Sequence, residues 1–225
     1  MTDIPALIRA IQQGDIAALQ SFLQADPSIA RMYIVDGKGV GRTLLHVLTD
    51  WPGHHPNAET IATLLIAAGA DVNARFSRSE TGETPLHWAA SCDDVAMIDV
   101  LVAAGADLEV TGAVITGGTP MSDAVVFAQW NAARRLLHHG AETTIWQAAA
   151  LGQLDRVRTL IDAQTSQRDI TNAFWNACRG GQLEVAKLLL SNGADPHWIG
   201  HDHKTPLQVA KESGNADLVK WLEGI

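Results

Sequence analysis

The sequence predicts an all-α fold, a solenoid of about seven helix–turn–helix units, and three observations predict it. Gly-Ala pairs close apolar segments at 69–70, 105–106, 140–141 and 193–194, at steps of 36, 35 and 53 residues. Helix openings recur ahead of them: Thr43-Leu-Leu-His46, Thr84-Pro-Leu-His87, Thr119-Pro-Met-Ser122 and Thr205-Pro-Leu-Gln208. The stretch 84–106, TPLHWAASCDDVAMIDVLVAAGA, contains one whole unit. Thr84 is a helix N-cap, and Pro85 sits at the first helical position, where a missing N–H costs nothing. Leu86, Ala89 and Ala90 make a small apolar face. Cys92-Asp93-Asp94 interrupts it, and Val95, Ile98, Leu101 and Val102 resume with helical spacing. Gly105 ends the second helix as a residue that tolerates positive φ.

The units then follow in order. The first, about 4–26, has AIQQGDIAALQSFL but no TPLH, which makes it an atypical terminal unit and an N-terminal cap over 1–26. Residues 27–42 form a link with the single tyrosine, Tyr33, and three glycines. Central units over 43–194 open at Thr43, Thr84, Thr119, about 143 and about 172. The last, 205–223, ends on a helix with Lys220 and Glu223, and 205–225 is expected to be a C-terminal cap. The whole of 1–225 is read as a single domain.

TPLHWAA, VLVAAGAD (100–107) and KLLLSNGADP (187–196) resemble the ankyrin repeat, a unit of about 33 residues with a T-P-L-H signature. The resemblance covers nearly the whole chain. Stretches such as GRTLLHVLTDWPGHHPN and TNAFWNAC are also similar to a group of small bacterial stand-alone ankyrin proteins. It implies two helix layers with irregular β-hairpin fingers between units, a concave face lined by inner helices and fingers, and a protein or peptide as partner. It also implies that His46 and His87 tie neighbouring units together. Trp146 and Trp175 stand at the histidine's place and are expected to fill the same space.

Composition narrows the function classes. Hydrophobic residues are 47% and charged residues 18%, enough for a substantial core. A net charge of −9 disfavours nucleic acid and anionic membranes as partners. The start, MTDIPALIRAIQQGD, lacks the character of a signal peptide, and no apolar run is long enough for a membrane span. Cys92 and Cys178 fit no disulfide framework or CxxC site, so the expected location is the cytoplasm. No phosphate-binding or catalytic signature is present, and no cofactor or metal is expected. His54-His55 and His201-Asp202-His203 are local histidine clusters without the further ligands that a metal needs.

Departures from the template mark candidate sites. Thr43 to Asp71 spans 28 residues against 23 from Thr84 to Asp107, so the second unit carries five extra within DWPGHHPN (50–57). Two prolines and a glycine make this a rigid turn. Asp50 could orient His54 or His55 as a general base. Asp93 and Asp94 occupy the equivalent turn one unit on, where they could instead stabilise a helix start. Trp51 lies outside the repeat template. It reads either as a binding anchor or as packing on the next unit. Cys92 would be a nucleophile if a helix N-terminus lowered its pKa.

The fingers at 71–84 and 107–119 are long, while 140–143 leaves no room for one. The Gly-rich 108–118 segment could act as a flap. Projection of the pair after each small-residue face into the groove adds Phe127 and Arg179. The binding candidates are therefore Asp50, Trp51, His54, His55, Trp88, Cys92, Asp93, Asp94, Phe127 and Arg179. Two functions are compatible with them. One is recognition of a protein or peptide on the concave face. The other is a small-molecule pocket, catalytic or not, formed by the 50–57 insertion, the 108–118 finger and these Trp, His and Asp residues.

Overall fold

Repeated caps divide the chain into short helices. The structure, a computed structural model, describes residues 2–37, 39–78 and 81–225, so two positions of the expected 71–84 finger, 79 and 80, lie outside the described residues. Fourteen α-helices are present among the described residues. The chain divides into two compact bodies, Met1–Ala141 and Glu142–Ile225. The division falls in the stretch with no room for a finger.

The N-terminal body holds α1 (Ile4–Gln13), α2 (Ile16–Ala25), α3 (Leu44–Thr49), α4 (Ala58–Ala67), α5 (Pro85–Ser91), α6 (Val95–Ala103), α7 (Pro120–Val126) and α8 (Trp130–His138). Odd and even helices pair consecutively, and each also packs on its counterpart in the next pair: α1 on α3, α3 on α5, α5 on α7, and α2 on α4, α4 on α6, α6 on α8. That gives two helix layers around Leu45, Leu48, Ile61, Leu65, Leu86, Met97 and Leu101, all fully buried. Ala89, Ala90, Ala124 and Val125 are buried too, because small side chains let the inner helices approach closely. Aspartates cap three of these helices: Asp3 accepts from the Ala6 N–H, Asp15 from Ala18 and Asp94 from Met97.

The link at 27–42 departs from the all-α expectation. It contains β1 (Tyr33–Val35), paired antiparallel with β2 (Gly41–Thr43), with Tyr33 opposite Thr43. This is the one hairpin among the described residues, so the other fingers are irregular without being strands. They are nonetheless stitched together. The Tyr33 hydroxyl donates to the Arg75 carbonyl (3.0 Å), and Arg75 Nη1 donates to the carbonyls of Gly82 (3.1 Å) and Thr111 (2.7 Å). Gly112, at φ +151°, lies so near Gly82 that a Cβ there would sit 2.7 Å from the Gly82 carbonyl oxygen. The 108–118 finger is therefore anchored to the finger before it and is not a free flap.

The C-terminal body holds α9 (Ile145–Ala150), α10 (Leu154–Leu160), α11 (Gln167–Arg179), α12 (Leu183–Ser191), α13 (Pro206–Ser213) and α14 (Ala216–Leu222), paired in the same way. Its core centres on Phe174 and Trp175 with Val185, Leu189, Val209 and Leu218. The helix expected from about 172 begins earlier. Ala173 stands one place beyond Asn172, where Pro85, Pro120 and Pro206 follow their threonines. With no proline to halt it, the helix runs back to a Ser166 cap, whose hydroxyl accepts from the Asp169 N–H (3.1 Å). Likewise the cap expected at 143 falls on Thr144, whose backbone N–H donates to the Gln147 side chain at 2.8 Å. Trp221 packs edge-on against Phe174.

Candidate functional site

One bond recurs at three helix openings and fixes the frame on which the candidates sit. His46 Nε2 meets the Glu83 carbonyl (3.1 Å), His87 Nε2 that of Gly118 (3.3 Å), and Trp175 Nε1 that of Lys204 (2.9 Å). Each acceptor immediately precedes the next opening threonine. In both histidines Nδ1 accepts from the backbone N–H of the capping threonine, which leaves the proton on Nε2 to be donated onward. Burial pulls both imidazoles down to about 4, so they are neutral at physiological pH. Trp175 makes the same link through an indole, as its position predicts.

The 50–57 insertion docks on the next turn rather than forming a catalytic pair. The Asp50 carboxylate binds Arg42 Nη1 and the Trp51 backbone N–H, and neither histidine. The proposed orientation of an imidazole by Asp50 is therefore absent: a guanidinium is a stronger partner for a carboxylate and already takes it. The His54 N–H donates to Asp94 Oδ2 (3.0 Å), and its Nε2 meets the Cys92 carbonyl (3.0 Å). Gly53, at φ +73°, abuts this turn, and a Cβ there would meet that of Cys92 at 2.9 Å. His55 Nε2 is buried without a partner.

Both turn aspartates serve helix starts. Asp94 Oδ1 accepts the Met97 N–H of its own α6 (3.1 Å), while Asp93 reaches α8, accepting from the Ala132 N–H (2.7 Å) and Asn131 Nδ2 (2.8 Å). Cys92 is buried at the C-terminal end of α5, its thiol near the Thr49 carbonyl, and burial pushes that thiol up. It has none of the activation a nucleophile needs. A depression of about 460 Å³ beside the insertion is lined by His54, His55, Asn57, Glu59, Thr60 and Asp94, with no residue of the 108–118 finger. This depression is not the pocket expected between insertion and finger, which would need residues of 108–118 in its wall. Among the described residues no three His, Cys, Asp or Glu side chains are grouped to hold a metal ion.

The aromatic candidates separate. Trp51 is 82% exposed, which rules out its packing on the next unit. Phe127 is 43% exposed at the end of α7. Trp88 turns toward the fingers, edge-on to His46 (centroids 4.9 Å apart) and tilted against Phe76 (5.3 Å). Arg179 belongs to the C-terminal body, where its guanidinium lies 5.8 Å from the Trp175 ring centroid; burial lowers its pKa against the pull of Asp202 and Glu212. The site residues of the N-terminal body therefore fall into a turn cluster and a finger cluster.

The finger cluster contains groups the sequence reading missed. Glu83 bridges Trp88 Nε1 (Oε2, 2.7 Å) and the Val114 N–H (Oε1, 2.9 Å). That second bond, with the Arg75–Thr111 bond, fixes a fingertip on which Val114 is 75% and Ile115 61% exposed. Asp123 on α7 is 1% exposed and neither carboxylate oxygen has a partner. Burial, then the charge of Glu83, raises it to about 8. One signal could have found it: the fifth residue of each opening is Val47, Trp88 and Val209 where Asp123 stands.

Paired short helices in two layers, joined by a repeated cap and a repeated side-chain-to-carbonyl link, define a helical repeat protein. A family model described as ankyrin repeats (3 copies) matches residues 54–145 and 145–224, and the chain belongs to the ankyrin-repeat family. It is 29% identical over 167 residues to the ankyrin repeat and KH domain-containing protein mask-1 of Caenorhabditis elegans, covering 72% of this chain and 5% of that protein. It is 27% identical over 162 residues to the ankyrin repeat protein FPV223 of fowlpox virus, covering 72% and 96%. It is 28% identical over 220 residues to the palmitoyltransferase AKR1 of Lachancea kluyveri, covering 90% and 28%. These relatives are eukaryotic and viral, and they give no support to the narrower likeness to small bacterial proteins. Among the described residues no helix is long and apolar enough to cross a membrane.

Proposed function

We propose that this chain is an interaction module of seven ankyrin units, capped by 1–26 and 205–225, that binds a protein or peptide segment on the finger face of its N-terminal body. Ankyrin repeats generally mediate contacts between proteins, and the finger geometry supports that use here. The observation that carries the reading is the pinned fingertip. Val114 and Ile115 are held exposed by backbone bonds to Glu83 and Arg75, so a partner covering them gains apolar burial without having to order the loop. Trp51 and Phe127 offer further apolar surface at the helix turns. Free Cys92 and Cys178 suit a reducing cytoplasm.

The test is selection of binders from a random-peptide display library on the parent protein, followed by affinity measurement on a Val114→Ser, Ile115→Ser variant. The reading expects at least a tenfold loss with the thermal midpoint unchanged. Equal affinity for both proteins would overturn it.

A further inference from the structure

Among the described residues Asp123 is the one buried carboxylate with neither oxygen hydrogen-bonded. Such a group is expensive to bury as an anion, and it calls for an explanation in ligand, solvent or proton. Its surroundings sharpen the question. Glu83 is close enough to act on it by charge, yet Glu83 is already bonded through both its oxygens, to Trp88 and to Val114. No lysine, arginine or histidine among the described residues counters the charge of Asp123. The nearby Arg75 guanidinium is engaged by the Gly82 and Thr111 carbonyls. Glu83 and Trp88 are half-buried, and α7, which carries Asp123, packs on α5, which carries Trp88. Phe76, also half-buried, packs on Trp88.

We propose that Asp123 is the receptor for a lysine or arginine side chain of the bound segment, entering beside Trp88 and Phe76 next to the Val114–Ile115 fingertip. This rests on the reading that the finger face takes a peptide. Each part of the surroundings matches one part of such a residue. The aliphatic stem fits against the aromatic rings, and a cation over a ring face gains quadrupole attraction. The charged head supplies the hydrogen bonds that both Asp123 oxygens lack, in a low-dielectric setting where charge pairing is strong. Apolar neighbours of that residue in the segment meet Val114 and Ile115. The net charge of −9 favours encounter with basic segments. The protonated Asp123 carboxyl releases its proton to solvent as the cation arrives, so binding tightens as pH rises toward 8.

The experiment uses N-acetyl-arginine methylamide and its neutral citrulline counterpart, titrated at millimolar concentration into the protein at pH 7. The readouts are the carboxyl ¹³C resonance of Asp123 and tryptophan fluorescence. The arginine compound is expected to move Asp123 to its ionised position and alter the fluorescence, the citrulline compound to do neither. Asp123→Asn, which keeps the side-chain size and cannot ionise, is expected to fold and to lose the arginine effect at least tenfold. An Asp123 resonance indifferent to the arginine compound, or equal binding by Asp123→Asn, overturns the inference.

The two readings fail separately. Peptide binding lost in Val114→Ser, Ile115→Ser with a silent Asp123 leaves the finger face standing and removes the cation site. An Asp123 that responds to arginine, with peptide binding indifferent to the fingertip, does the reverse.

Discussion

The Trp175 indole N–H donates to the Lys204 carbonyl at 2.9 Å, in the place where His87 reaches the Gly118 carbonyl at 3.3 Å. An indole carries one donor and no acceptor, so it keeps the outward link of the histidine and gives up the inward one to a capping threonine. The space left is filled by a larger ring that joins the core of the C-terminal body. Trp175→Phe removes only the N–H and part of the ring. The Lys204 carbonyl keeps its bond from the Gly200 N–H, so no acceptor is stranded. The expected loss is about 2 kcal/mol, roughly half from the bond and half from packing, measured by urea unfolding.

Stability should pass through a maximum near pH 6.5. His46 and His87 have folded pKa values of about 4, below the unfolded 6.5. Between those values the unfolded chain binds more protons, so stability from these groups is present above 6.5 and is lost as pH falls toward 4. Asp123 works the other way, with a folded value of about 8 above the unfolded 3.8. Its native state holds the extra proton, so stability is lost as pH rises toward 8. With each group worth about 1.4 kcal/mol per pH unit, two histidines outweigh one aspartate below 6.5, and the aspartate acts alone from there to 8. Unfolding free energies across pH 4–9 should show this rise and fall. Asp123→Asn should flatten the alkaline limb, and an unaltered limb would remove Asp123 from the argument.

Much of this frame was legible from residue patterns. Thr84-Pro85 and Gly105 are local devices whose chemistry acts within a few residues, so the helix pairs could be read one by one. The early start of α11 was legible only in reverse, as the consequence of Ala173 standing where a proline could have stopped the helix. The site was less legible because it depends on who reaches whom. Asp50 and His54 are four residues apart, but Arg42 arrives from β2 and Asp94 from the next turn. Glu83 carries no motif, and its two bonds come from partners five and 31 residues away. Asp123 was visible as a charge in an apolar column, but its missing partners are a property of three-dimensional packing.

The docked insertion depends on Asp94 and Gly53. Asp94→Ala removes the α6 cap and the anchor of the His54 N–H together, with an expected cost of about 2 kcal/mol. Gly53→Ala forces a Cβ toward Cys92 at positive φ and should cost at least 1 kcal/mol. His54→Ala leaves both backbone anchors in place and should cost less than either. Chemical denaturation of the three variants checks the order.

Neither cysteine should behave as a reactive thiol. Burial raises Cys92, and it pushes Cys178 up to about 12. Native protein at pH 7.5 should react with an aromatic disulfide reagent at least a hundredfold more slowly than unfolded protein. A fast-reacting Cys92 would show that the turn around Asp93 and Asp94 opens.

The finger face is tested most directly by one comparison. A peptide selected on the parent protein is titrated calorimetrically against the parent and against Val114→Ser, Ile115→Ser, with thermal unfolding of both recorded alongside. The expected result is affinity lower by at least tenfold and a less negative heat-capacity change, with the thermal midpoint held, because both side chains are largely exposed. An unchanged affinity and heat-capacity change would contradict the assignment of this surface as the binding face.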